Sequence, residues 1–254
     1  MTSSPADAAR WLRRFHPAAE DAVRLVCLPH AGGSASFFFP MSRALAPHVQ
    51  VLAVQYPGRQ DRRREDHVAD LHHLADQVFG ALAAAPQQPT ALFGHSLGAV
   101  VAYEVAVRMR EAGLPGPVRL FASARRAPSR YRDERVHRLS DAEIIDELRR
   151  LSGTHAATLA DPELIQLILP AVRSDYRAIE TYRHRPDAVL DCPVTVLTGA
   201  DDPVVSAAEA DDWRRHTTGE VEVRTFTGGH FYLVDHAPAV IELLTWSLTT
   251  RVAG

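Results

Sequence analysis

Three residue types that together can perform acyl transfer, an alcohol, a carboxylate and an imidazole, stand far apart in this chain, each just after an apolar strand-like run. The alcohol is Ser96, within Gly94-His95-Ser96-Leu97-Gly98. The run Ala91-Leu92-Phe93 precedes it and a helix-forming stretch of Ala, Val, Tyr and Glu follows, so the segment reads as strand, sharp turn and helix. At such an elbow the serine takes a strained backbone conformation, and side chains two residues either way would meet the strand and the helix. Glycine at 94 and 98 removes that collision. The serine oxygen is then held at the positive end of a helix, where developing negative charge is favoured. Because a serine between glycines also occurs in ordinary loops, the reading depends on partners elsewhere.

The carboxylate comes from Gly199-Ala200-Asp201-Asp202-Pro203, which closes the strand Val194 to Thr198. One of the two aspartates can hold an imidazole in its useful tautomer. Asp202 is the better placed, third beyond the strand-ending glycine and fixed by Pro203, whereas Asp201 suits a turn. The imidazole is His230, on the loop Thr227-Gly228-Gly229-His230 after the strand Val221 to Phe226. Two nearby histidines are poorer bases: His236 opens the terminal helix, and His95 adjoins the serine where the elbow turns successive side chains apart. The loop Pro29-His30-Ala31-Gly32-Gly33-Ser34 follows the strand Val23 to Leu28. Its small residues let backbone N–H groups turn toward an oxyanion, and they equally suit a plain strand-to-helix connection.

A parallel sheet must position these loops, and the composition allows one. The chain has 254 residues, 46% of them hydrophobic, enough for one large α/β domain. A net charge of −3 and a pI near 6.5 point away from nucleic acid. Cys27 and Cys192 sit in or beside apolar runs as buried thiols, with no disulfide framework or cysteine-based zinc site. The first residues lack the apolar core of a signal peptide and no apolar run is long enough for a membrane span, so a cytoplasmic protein is expected.

Residues 1–21 read as an N-terminal tail packed on the core through Trp11 and Phe15. Residues 22–123 and 193–254 read as the core, with a helix near Phe37 to Ala46, a strand Val49 to Tyr56, a helix Val68 to Ala84 and a strand Val118 to Ala122. His72 and His73, adjacent on a helix, cannot share a face and read as surface residues. Roughly seventy residues then separate two neighbouring strands, against a minimal crossover of about a dozen. The excess, 124–192, is a helical insertion. Ser140-Asp141-Ala142-Glu143 is a capping box opening the helix Ala142 to Leu151, and Asp161 to Tyr182 is helical with a break or kink near Pro170. Ile144, Leu148, Leu164, Leu167 and Ile168 would form the inner surface of a lid over the substrate chamber, or pack on the core.

The order Ser96, Asp202, His230 is that of an α/β-hydrolase and not of chymotrypsin-like or subtilisin-like enzymes. The chain also resembles the type II thioesterases of polyketide synthases and non-ribosomal peptide synthetases. The resemblance runs through Leu28-Pro29-His30-Ala31-Gly32-Gly33-Ser34, Tyr56-Pro57-Gly58-Arg59, Phe93-Gly94-His95-Ser96-Leu97-Gly98-Ala99, Gly199-Ala200-Asp201-Asp202-Pro203 and Gly228-Gly229-His230-Phe231-Tyr232. It implies an α/β-hydrolase fold with a mostly parallel sheet and a helical lid. It implies Ser96 as nucleophile, Asp202 as acid, His230 as base and the N–H groups of Ala31 and Leu97 as the oxyanion hole. The implied reaction releases acyl groups from the phosphopantetheine arm of acyl or peptidyl carrier proteins, with no metal or bound cofactor, the arm belonging to the substrate. A monomer is expected. A lipase or carboxylesterase, or a non-catalytic carrier-protein-binding module, would be compatible with the same residues. Arg59, Arg62, Arg63 and Arg64, with Arg125, Arg126 and Arg130, are expected to flank the chamber entrance and to dock an acidic carrier protein and its phosphate.

Overall fold

The computed structural model describes residues 5–152 and 161–250. Seven strands form one sheet in the order β1-β3-β2-β4-β5-β6-β7. They are β1 (Leu12–Arg13), β2 (Val23–Leu28), β3 (Val49–Val54), β4 (Thr90–His95), β5 (Leu120–Ser123), β6 (Val194–Gly199) and β7 (Val221–Phe226). All neighbours pair in parallel except β1, which runs antiparallel to β3. The central strands are buried along their whole length because helices cover both faces: every residue of β4, β5 and β6 is buried, and most are apolar. This is the α/β-hydrolase architecture.

The helices are α1 (Pro5–Trp11), α2 (Phe39–Leu45), α3 (Leu71–Ala83), α4 (Leu97–Glu111), α5 (Asp141–Ser152), α6 (Pro162–Thr181), α7 (Ala207–Asp211), α8 (Tyr232–Asp235) and α9 (Ala237–Thr249). One core layer lies under α3 and α4, around Leu74, Val78, Val101, Tyr103 and Trp213; the other lies under α2 and α9, around Phe38, Phe93, Phe121 and Leu244. Asp70 caps α3 by accepting from the N–H of His73 at 2.8 Å. The Ser140–Glu143 capping box forms as expected.

The N-terminal segment is more than a surface tail. Leu12 and Arg13 add an edge strand, Trp11 is buried, and its carbonyl accepts from the N–H of Gln55 at 2.8 Å. Two residues carry no alternation by which a strand could be recognised; the unpaired edge of β3 specifies the pairing. The insertion is also less separate than its length suggests. Ala178, Ile179, Tyr182, Ala188 and Leu190 belong to the main core, while Ile144, Ile165, Leu169 and Val172 form a small core between α5 and α6. Helix α6 continues through Pro170 without a break. His73 is exposed, but His72 lies against buried Glu104, its Nδ1 3.3 Å from the carboxylate. Residues 153–160, part of the expected lid, lie outside the described residues.

Candidate active site

The elbow is built as its glycines require. Ser96 has φ 55° and ψ −117°, between the end of β4 and the start of α4. A Cβ at Gly94 would stand 2.1 Å from the carbonyl oxygen of Gly98, and one at Gly98 would stand 2.1 Å from that of Leu28. Strand β4 and helix α4, and α4 and β2, therefore approach at distances that no side chain permits. The N–H of Ser96 donates to the carbonyl of Ser123 at 2.8 Å, fixing the turn to the end of β5. Strain at this residue is maintained by the surrounding packing, and it projects the serine at the carboxyl edge of the sheet.

Asp202 and His230 arrive from β6 and β7. The two loops are joined by backbone bonds, Ala200 N–H to Phe226 O at 2.7 Å and Asp201 N–H to Gly228 O at 3.0 Å. The His230 Nδ1–H is 2.9 Å from Asp202 Oδ2 and 3.1 Å from Oδ1, with both side chains buried. Asp202 Oδ1 also accepts from the N–H of Val204 at 2.8 Å, which fixes the carboxylate's orientation. Asp201 is exposed and plays the turn role. With Nδ1 donating to Asp202, the other ring nitrogen, Nε2, is the one that can accept a proton.

Ser96 and His230 line one cavity of about 390 Å³. Its floor adds His30, Ala31, Phe37 and Phe231, and its roof is Leu148, Leu151, Leu164, Ile168, Val172 and Tyr176 of α5 and α6. The chamber is thus mostly apolar with a few convergent polar groups. Leu148, Leu164 and Ile168 are where the lid reading put them. Leu167 is not, being 63% exposed on the outer face, and Ile144 is enclosed in the lid's own core.

Sequence reasoning missed two features of the site. The first is a histidine cluster. His30 packs edge-on against Phe37 and Phe231, and His95 lies 5.3 Å from His230 between ring centroids. Burial, with His230 and Arg59 adding to it, pushes His30 down to about 3; burial, with His230 and His30, holds His95 well below the ordinary histidine value. Both are neutral at physiological pH, so neither opposes a positive charge forming on His230. His95 Nδ1 lies 2.9 Å from Ser123 Oγ, which lies 2.7 Å from the Tyr232 hydroxyl.

The second is a buried clamp. Arg59 donates to Asp175 of α6 from both terminal nitrogens, at 2.7 and 3.0 Å, and to the carbonyl of Gly33 at 3.1 Å. Asp175 Oδ2 also accepts from the N–H of Gly32 at 2.8 Å. The lid helix thereby holds the glycine-rich loop beside Ser96. Three of the arginines expected to dock a partner are not available for that role. Arg59 is enclosed in this pair, and Arg62 is buried over the Trp11 ring with Glu65 at 2.6 Å. Arg126 is buried against Glu134. A guanidinium already desolvated against its own carboxylate offers no surface charge to a partner.

Comparison with known proteins places this geometry among relatives. A family model described as a thioesterase domain matches residues 23–248. A probable cadicidin biosynthesis thioesterase of Streptomyces griseus is 54% identical over 94% of this chain, which spans 66% of that protein's length. Thioesterase PikA5 of Streptomyces venezuelae is 52% identical, over 92% of this chain and 85% of its own. The type II thioesterase BorB from the borrelidin biosynthetic cluster superposes with a TM-score of 0.90 at 51% identity, covering 94% of this chain and 98% of its own. With the family model spanning nearly the whole fold and such relatives on both sides, the chain belongs to the thioesterase family and is a thioester hydrolase.

Proposed function

We propose that the protein hydrolyses acyl thioesters carried on the phosphopantetheine arm of acyl or peptidyl carrier proteins in polyketide or non-ribosomal peptide synthesis, through an acyl-serine intermediate. The observation that carries the mechanism is the buried Asp202–His230 hydrogen bond beside a cavity that Ser96 shares with His230. The substrate assignment rests on the relatives, which include thioesterases of antibiotic biosynthesis.

In this mechanism His230 Nε2 takes the proton of Ser96 as its oxygen attacks the thioester carbonyl. Asp202 stabilises the imidazolium through Nδ1. The oxyanion is received by the N–H groups of Ala31 and Leu97. Three features support that pair. Leu97 opens α4, where an N–H has no intrahelical acceptor, while the N–H groups of Gly32 and Gly33 are engaged by Asp175 and the His30 carbonyl. Removing one oxyanion donor typically costs about 3 to 4 kcal/mol of barrier. The leaving thiolate, with a thiol pKa of about 8.5 taken from cysteine, departs with little proton assistance. Water activated by His230 then releases the acid from the serine. No step calls for a metal or bound cofactor.

The test is intact-mass measurement of an acyl-loaded carrier protein. Wild-type chain should return it to the unacylated mass, and Ser96→Ala should leave it loaded. Acyl-pantetheine should be a better substrate than the matched oxygen ester. The reverse preference would make the protein an oxyesterase.

A further inference from the structure

Behind the lid, a second cavity of about 200 Å³ opens between the loop after β5 and the end of α6. Its walls carry Arg125, Arg126, Arg130, Arg132 and Arg183, with Ser129 beside them. Most of this charge is matched. Arg126 pairs with Glu134 at 2.5 Å, Arg132 with Glu209 at 2.5 Å, and Arg130 with Asp212. The lining carboxylate, Glu180, accepts from the N–H groups of Val136 and His137 and from the His137 ring.

Arg125 is different. It is buried, its Nε is enclosed with no hydrogen-bond partner, and no carboxylate pairs with it among the described residues. Burial, with Arg126 adding to it and Glu134 opposing it only in part, pushes its guanidinium down to about 9. Arg183 also has no carboxylate among the described residues; it lies over the Tyr131 ring at 3.9 Å and donates to the carbonyls of Glu180 and Tyr182. An unmatched buried guanidinium is costly, and an anion in the cavity would supply the missing charge and acceptors. The space is several times the about 30 Å³ of one liquid water, and the guanidinium fork suits a tetrahedral oxyanion.

We propose that this cavity is a binding site for a phosphate-class oxyanion, held by Arg125 with Arg183 and Ser129 at its rim. Two sources share that chemistry: free phosphate, or the phosphodiester of a substrate arm. Tyr176, which lines the catalytic chamber, and Ile179 and Glu180, which line this cavity, lie one turn apart on α6, so the two spaces are neighbours and the second source is tested too. Only that second source rests on the proposed function.

Calorimetric titration of the full chain with inorganic phosphate, at ionic strength held constant with chloride, tests the site. Saturable binding is expected in the wild type, at least about tenfold weaker in Arg125→Gln, as for loss of a charged hydrogen-bonding group, and unchanged in Arg63→Gln, an exposed arginine outside the cavity. Arg183→Gln, at an exposed position on the rim of the cavity, should weaken binding several-fold and serves if the buried variant does not fold. Ser96→Ala should bind phosphate as wild type does, which separates failure of this site from failure of the hydrolase reading. Phosphopantetheine binding more tightly than both pantetheine and phosphate assigns the site to the arm; equal binding of phosphopantetheine and phosphate assigns it to free phosphate. Absence of saturable binding in the wild type, or wild-type affinity in both arginine cavity variants, would overturn the proposal.

Discussion

Asp175 is the most informative single residue to remove. It belongs to α6, yet its carboxylate accepts from the N–H of Gly32 and from both terminal nitrogens of Arg59, which in turn holds the Gly33 carbonyl. Arg59 and Asp175 side chains are 8% and 1% exposed, so Asp175→Ala leaves a buried guanidinium without its counter-ion. Breaking a buried pair in this way costs about 3 to 5 kcal/mol of stability, a large part of the about 5 to 15 kcal/mol that a domain has. The same substitution releases the loop carrying Ala31. If that N–H no longer meets the oxyanion, kcat should fall by about 10² to 10³, with a smaller effect on KM. A double variant, Arg59→Met with Asp175→Leu, separates the two consequences. Replacing both charges by apolar groups should recover most of the stability, whereas Gly32 still lacks its acceptor and kcat stays low. The assays are urea unfolding and steady-state hydrolysis of an acyl-pantetheine. A double variant with wild-type kcat would show that the clamp stabilises the lid without positioning the loop.

Other outcomes follow from single contacts. Burial disfavours the Glu104 carboxylate, but hydrogen bonds from His72, Tyr182 and Arg108 outweigh it and hold the group at about 2, below its ordinary 4.5. A depressed folded pKa gives stability that is present above pH about 4.5 and is lost as pH falls toward about 2, so unfolding free energy should decline more steeply over that window in the wild type than in Glu104→Gln. Ile168→Trp fills the chamber roof and should shift hydrolysis toward shorter acyl chains, while Leu167→Lys on the outer face should leave the preference unchanged; chain-length profiles of both variants check this. Gly98→Ala places a methyl 2.1 Å from the Leu28 carbonyl and should destabilise the elbow by about 1 to 3 kcal/mol, measured by urea unfolding, with loss of hydrolysis.

Much of this protein was legible before any coordinates. Strand β2 has the bounds of its apolar run and β7 those of its alternating one, the Gly94–Gly98 spacing marked the sharp turn between β4 and α4, and Asp202 and His230, singled out after the last two strands, are hydrogen-bonded to each other. Such features are local: a turn needs its glycine within two residues, and a parallel sheet needs continuous apolar runs whatever their order. What stayed hidden depends on contacts between distant segments. Arg59 and Asp175 are 116 residues apart, and nothing near Arg59 in a run of mixed charges marks it as enclosed. Leu167 and Ile168 are adjacent and equally apolar, yet the rotation of α6 sends one to solvent and one to the chamber. Residue types and their order determined the chemistry available to the chain; the tertiary structure decided which charges are paired inside and which side chains shape the chamber, because burial belongs to the packed assembly and not to any residue alone.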